Sequence, residues 1–363
     1  MEYKLRKNRA FTLMELLVAL GIMVIVILFA AEIFKVSIDS QRVALANEEI
    51  MQKFRAITNQ LDSDFSGLDK EGEIFAVWKA VPLKNNKYAD NDLDGYERFD
   101  RIMFFAEGDF QAYLHDVWGG AAIEKSIVRG NIARICYMLA SEGETKPESI
   151  NKPKRILART QHILTDDQEL PNTFDPNSFT QTQWIRWNNF ARYDKISLEQ
   201  WKRIPLQTKI DMLSLICDVD IVAGNTTGSG IIDKNHRGAS IDPEDPNSLP
   251  SLLCEGVGEF KIQGWDDTNK KWIPEVDPDG NGDFSDSNFF LNDSNNVPGL
   301  LYPVPFSAIA INNVNYPTSL IDRDHFNVIP GLGRALKFTF TLFDSKGIIK
   351  DGRTFTHIVF LDK

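Results

Sequence analysis

From Phe11 to Ala31 the chain runs apolar for 21 residues, with Glu15 as the one ionisable side chain. As a helix rising about 1.5 Å per residue, that run crosses roughly 30 Å of hydrocarbon. Beyond it the pattern changes without breaking. Val36, Val43, Ile50 and Ile57 recur every seven residues, and Phe54, Leu61 and Leu68 form a companion series. Gln41, Arg42, Asn47, Glu48, Gln52, Arg55 and Gln60 fill much of the remainder, with Asn47 interrupting the stripe. No proline precedes Pro82 and no glycine falls between Gly21 and Gly67, so one helix from Phe11 to about Ser66 is expected. Such a helix is about 80 Å long, and Gly67 suits the position just past its end. One stripe of its second half must be buried, and packing on the chain's own sheet is the expected solution.

After Gly67 the apolar period shortens. Strand-like runs occur at residues 73–81, 101–106, 132–140, 154–160, 213–223, 259–265, 334–344 and 354–362. In the last but one, Leu336, Phe338, Phe340 and Leu342 alternate with polar residues, which predicts a sheet with one buried face. The DSKGIIKDG stretch at 344–352 reads as a hairpin loop. Residues 165–250 and 274–330, rich in Asn, Asp, Pro and Gly, read as insertions. The expected fold is α+β: a leader at 1–10, a long helix at 11–66 whose first part (11–31) is transmembrane, and an antiparallel β-rich head at 67–363 carrying those insertions.

Charge orients this plan. Lys4, Arg6, Lys7 and Arg9 against Glu2 give the leader a net +3, and a basic flank stays on the cytoplasmic side. The head is then expected outside the inner membrane, in the periplasm. The whole chain carries −11, so the part after the leader carries −14, which argues against nucleic acid as a partner. Cys136, Cys217 and Cys254 are too widely spaced for a metal motif; in an oxidising compartment Cys217 with Cys254 is a candidate pair. His115, His162, His236, His325 and His357 show no HExxH spacing, and neither GxSxG nor a phosphate-binding GxxxxGK[ST] occurs, so no enzyme activity is expected.

The basic leader, then Ala10 followed by FTLMELLVAL, resembles the class III signal of type IV pilins and type II secretion pseudopilins. In that family prepilin peptidase cuts before the Phe, here between Ala10 and Phe11, methylates the new amine and leaves the apolar helix in place. Gly is usual before the cut, and Ala10 keeps a small side chain there. An unpaired carboxylate at the level of Glu15 costs about 2.5–3.5 kcal/mol on insertion scales, so a partner is expected. The amine freed on Phe11 of a neighbouring helix supplies one, which makes Glu15 a register mark for assembly. Shorter segments (FRAITNQLDSDF, FDRIMFF, ARICYMLA, RILART and LLCEGVGEFKIQGWDDTNKKW) fall in the order found in the J-type minor pseudopilin. That resemblance implies partnership with I-type and K-type minor subunits and the major pseudopilin in a pseudopilus tip complex.

Two acidic loops suggest calcium as a structural ion. DNDLDGYERFDR places Asp90, Asp92 and Asp94 at alternate positions before Gly95. DPDGNGDFSDSN offers Asp277, Asp279, Asn281 and Asp283 around Gly282. Their twelfth residues, Arg101 and Asn288, replace the bidentate Glu of an EF-hand, and ordinary loop chemistry is the competing reading. Trp184, Trp187 and Trp201 in the first insertion suit either a partner or glycan surface or the core of a subdomain. Two other functions therefore stand beside the pseudopilin: a minor pilin at the tip of a type IV pilus, and a membrane-anchored calcium-dependent enzyme or sugar-binding module.

Overall fold

The computed structural model describes residues 12–69, 74–82, 96–98, 100–113, 127–142, 150–167, 170, 193–204, 240–241, 249–266, 270–273, 325–330 and 334–361. Helix α1 spans Leu13–Ser66, 54 residues without a break. Strands β1 (Phe75–Pro82), β2 (Tyr96–Arg98), β3 (Arg101–Tyr113), β4 (Ile127–Glu142) and β5 (Ile156–Leu164) follow. Next come β6 (Tyr193–Asp194), a short helix α2 (Leu198–Arg203), β7 (Ser240–Ile241), β8 (Leu252–Glu255), β9 (Val257–Asp266) and β10 (Lys271–Ile273). The order closes with β11 (His325–Pro330), β12 (Ala335–Leu342) and β13 (Arg353–Phe360).

The first sheet runs β11-β1-β3-β4-β5-β6, with β2 on β1, β7 on β4 and β8 on β5. Its long pairings are antiparallel; only the short β6 and β7 pair in parallel among the described residues. The second sheet is β10-β9-β12-β13, antiparallel throughout. Alternation decides what each strand contributes. Ile102, Phe104 and Ala106 of β3, with Ala133, Ile135, Tyr137 and Leu139 of β4, point to one core. Leu336, Phe338, Phe340 and Leu342 of β12 enter the same core from the second sheet, each 0% exposed.

Helix α1 joins the two sheets. Phe65 stacks on Phe104 at 4.2 Å and tilts against Phe338 at 5.7 Å, while Phe54 stacks on Phe355 at 4.6 Å. Ile50, Ile57 and Leu61 are fully buried, and each such side chain contributes about 1.5–3 kcal/mol by leaving water. The expected stripe is only half realised: Val36 is 57% exposed and Val43 45%, because the head begins to cover the helix at Ala46. Every residue from Leu13 to Leu45 is exposed apart from half-buried Ala30, so α1 projects well beyond the head.

Other expectations shift in detail. β3 and β4 continue past the apolar runs at 101–106 and 132–140, since the ladder resumes beyond an irregularity between Glu107 and Phe110. The expected strand at 213–223 lies outside the described residues. The end of the second insertion, β11, returns to pair with β1, and part of the first, Tyr193 to Ile204, is packed on the sheet. Trp201 is 2% exposed, 5.4 Å from Phe105, which gives it the core role. Trp184 and Trp187 lie outside the described residues.

Candidate assembly site

The start of α1 is built from Thr12-Leu13-Met14-Glu15, the capping-box pattern of a hydroxyl residue followed three positions later by Glu. The Glu15 backbone N–H donates to Thr12 Oγ1 at 3.2 Å. Its carboxylate accepts from the Thr12 backbone N–H and from the Thr12 hydroxyl, each at 3.0 Å. Glu15 thus has partners within its own chain, which lowers the cost of holding it at the edge of an apolar run. The Thr12-x-x-Glu15 spacing carries this signal in the sequence. Ala10 and Phe11 lie outside the described residues. The helix that follows is long and apolar enough to cross a membrane, and none of its apolar window is buried in the protein.

Polar ties then fix the other half of α1 to the head. At the lower edge, Lys53 Nζ donates to the Phe343 carbonyl at 2.8 Å and pairs with Glu49 at 2.9 Å. Glu49 accepts from the Ser345 backbone N–H at 2.8 Å and its hydroxyl at 3.0 Å. Burial pushes the Glu49 carboxyl up, but the Lys53 and Ser345 contacts outweigh it and hold it below its ordinary value. Gly256 makes room for this tie, with φ +74 and a would-be Cβ 3.0 Å from Lys53 Nζ.

At the upper edge Asp64 is buried and receives Arg159 through two bonds, Nε at 2.6 Å and Nη2 at 2.7 Å. Gln60 Nε2 adds a third at 3.0 Å, and the Tyr137 hydroxyl donates to the same carboxylate. Burial, reinforced by the Asp64 charge, raises the Tyr137 phenol far above its usual range, so it remains a donor. Asp62, more exposed, meets His357 Nε2 at 2.8 Å.

On the sheet's opposite face, Asp194 accepts from Arg134 Nε at 2.9 Å and lies 2.8 Å from His162 Nδ1, all three side chains 1% exposed. This ties the first insertion to the sheet. The two histidines so described, His162 and His357, serve structural pairs. Cys254 is a thiol in the core that forms no disulfide among the described residues, and burial pushes its pKa up to about 11; Cys217, the other half of the candidate pair, is outside the described residues. Cys136 is likewise buried and forms no disulfide among the described residues. The calcium candidates Asp90, Asp92, Asp94, Asp277, Asp279, Asn281 and Asp283 also lie outside the described residues. Among those described, no three His, Cys, Asp or Glu side chains gather to hold a metal.

Residues 5–31 match the family model of the prokaryotic N-terminal methylation motif. The chain therefore carries the processing and anchoring segment of pilin-like proteins, the type of substrate on which prepilin peptidase acts. That segment continues into a helix that packs on an α+β head of antiparallel sheets. No curated protein and no solved structure matches the chain.

Proposed function

We propose that the protein is a structural minor pseudopilin of a type II secretion pseudopilus, a J-like tip-complex subunit without catalytic activity of its own. The observation that carries this reading is the matched methylation motif, with Glu15 as the single ionisable side chain in the apolar run and a continuous helix leading to the head. Cleavage between Ala10 and Phe11 creates a cationic amine at the membrane surface. On a neighbouring helix that amine replaces the Thr12 contacts as the partner of Glu15 and fixes the axial register of the incoming subunit, as buried polar groups do in helix interfaces. I-type, K-type and major pseudopilins are the proposed neighbours, with the head in the periplasm. Calcium held by the two acidic loops is part of this reading, as a structural ion.

Two measurements test it. Mass spectrometry of the mature chain should show a methylated terminus at Phe11, and protein still beginning at Met1 counts against the proposal. A Glu15→Val variant should insert normally yet enter filaments at least tenfold less often; unchanged incorporation removes the register role. Co-purifying subunits then separate a secretion pseudopilus from a type IV pilus.

A further inference from the structure

The exposed part of α1 is not much longer than a bilayer is thick. From Leu13 to Leu45 it holds 33 residues, a length of about 50 Å. Crossing about 30 Å of hydrocarbon and one headgroup zone of about 6 Å uses most of that length when the helix stands upright. Transmembrane helices lean by about 20° on average and by up to about 40°, and at the upper value the same stretch rises only about 38 Å. The lower edge of the head, which begins at Ala46, then reaches the headgroups on the side toward which the helix leans.

What that edge presents follows from the strand directions. Ser345 meets Glu49 and the Phe343 carbonyl meets Lys53, whereas Phe355 and His357 meet Phe54 and Asp62 further along the helix. The loop at 344–352 is therefore at the membrane-facing end of the head. It is preformed: Asp344 is buried and accepts from the Ile348 and Ile349 N–H groups at 2.9 Å each, and Gly347 and Gly352 take positive φ. Exposed on it are Lys346 and Lys350, with Arg353 beside them at the start of β13, against Asp351. Three cations face one exposed carboxylate there, on a chain that carries −14 beyond its leader. The helix below continues the patch. At about 100° per residue Lys35 and Arg42 lie within about 40° of Glu49 and Lys53, so they share the side on which the loop sits, with Glu32 and Asp39 flanking them. We infer that Lys346, Lys350 and Arg353, with Lys35 and Arg42, form a docking surface for anionic phospholipid headgroups of the leaflet from which α1 emerges, so that the anchored subunit leans its head on the bilayer. This rests on α1 spanning the membrane, and not on the kind of filament the subunit enters. Basic groups beside a span are drawn to anionic lipid within about a Debye length of the surface, and that attraction selects the leaning side.

Footprinting of the full chain in vesicles tests the assignment. Protein in neutral phosphatidylcholine, and in the same lipid with about a quarter phosphatidylglycerol, is treated with a neutral acetylating reagent and read by mass spectrometry. Lys270, exposed at the turn between β9 and β10 at the far end of the head, is the internal reference. Relative to Lys270, Lys346 and Lys350 should be acetylated at least fivefold more slowly in the anionic vesicles than in the neutral ones, and about 0.5 M salt should abolish the difference. A benzophenone amino acid in place of Asp351 should yield a phospholipid adduct at least tenfold above the same group in place of Lys270. Equal acetylation in both vesicles, or a protein adduct or none at residue 351, overturns the docking surface and leaves the membrane span intact. A chain that alkaline carbonate strips from the vesicles removes the span, and this inference with it.

Discussion

Asp64 shows how much one residue decides. In sequence it is a polar residue near a helix end, with nothing to distinguish it from its neighbours Asp62 and Ser63. Folding brings it Tyr137 and Arg159, 73 and 95 residues away, and all of these groups leave water together. Removing one partner of a buried pair strands the other, at about 3–5 kcal/mol. Asp64→Ala is predicted to lose roughly 3 kcal/mol in urea unfolding of the detergent-solubilised chain, with Arg159→Met restoring part of the loss in a double-mutant cycle. Two additive single losses would show that the pair is not coupled.

Acid should act at the same scale. For Glu49, Asp194, Glu259 and Asp344, burial pushes the carboxyl up, and a larger opposing effect leaves each below its ordinary value. Those effects are Lys53 and Ser345 for Glu49, Arg134 and His162 for Asp194, Lys152 and Lys261 for Glu259, and backbone N–H groups including Ile348 and Ile349 for Asp344. A carboxyl depressed in the folded state adds stability above its unfolded pKa and loses it as pH falls through the folded value. The urea midpoint is predicted to drop progressively below about pH 4, and a midpoint that rises on acidification contradicts these assignments.

At the scale of elements, patterns that repeat were legible and irregular ones were not. The helix and the alternation at Leu336 to Leu342 come straight from spacing, since the helix is apolar all round in its first part and buries one stripe from Ala46 onward, and the strand buries one face along its length. The continuation of β3 through EGDFQAY was hidden by a Gly and two acids where the ladder shifts, and β11 by its place at the end of a polar insertion. Gly67 illustrates a right residue with a different reason. Its φ of −94 needs no glycine, but an added Cβ would lie 2.2 Å from the Glu107 carbonyl oxygen, whose own backbone N–H donates to Gly67 O. Gly67→Ala must therefore push the helix end off β3. The expected cost is about 2 kcal/mol, from overpacking rather than from backbone strain, and thermal unfolding against wild type measures it.

The whole molecule is a long apolar anchor under a head whose two sheets share one core with the anchor's upper half. The capping box at Thr12 and the carboxylate at Glu15 sit at one end of this rod, and the polar ties at Glu49, Lys53, Asp62 and Asp64 hold the other, so membrane register and head position are set together. Beyond its leader the chain carries a net −14. Asp90, Asp92 and Asp94, and then Asp277, Asp279 and Asp283, place like charges within a few residues of one another, where repulsion opposes any compact loop unless a cation screens it. Calcium favours this kind of oxygen set, and an ion that binds only the folded head stabilises it by mass action. With free calcium at about 100 times its dissociation constant the gain is about 2.7 kcal/mol, so chelation should lower the melting temperature by several degrees. Calorimetry of the chain with calcium and with chelator reads this directly, and exchanging Asp277, Asp279 and Asp283 for Asn should remove most of the calcium-dependent difference. An equal melting temperature in both buffers, with no ion bound, would leave these loops as turns and take calcium out of the proposal.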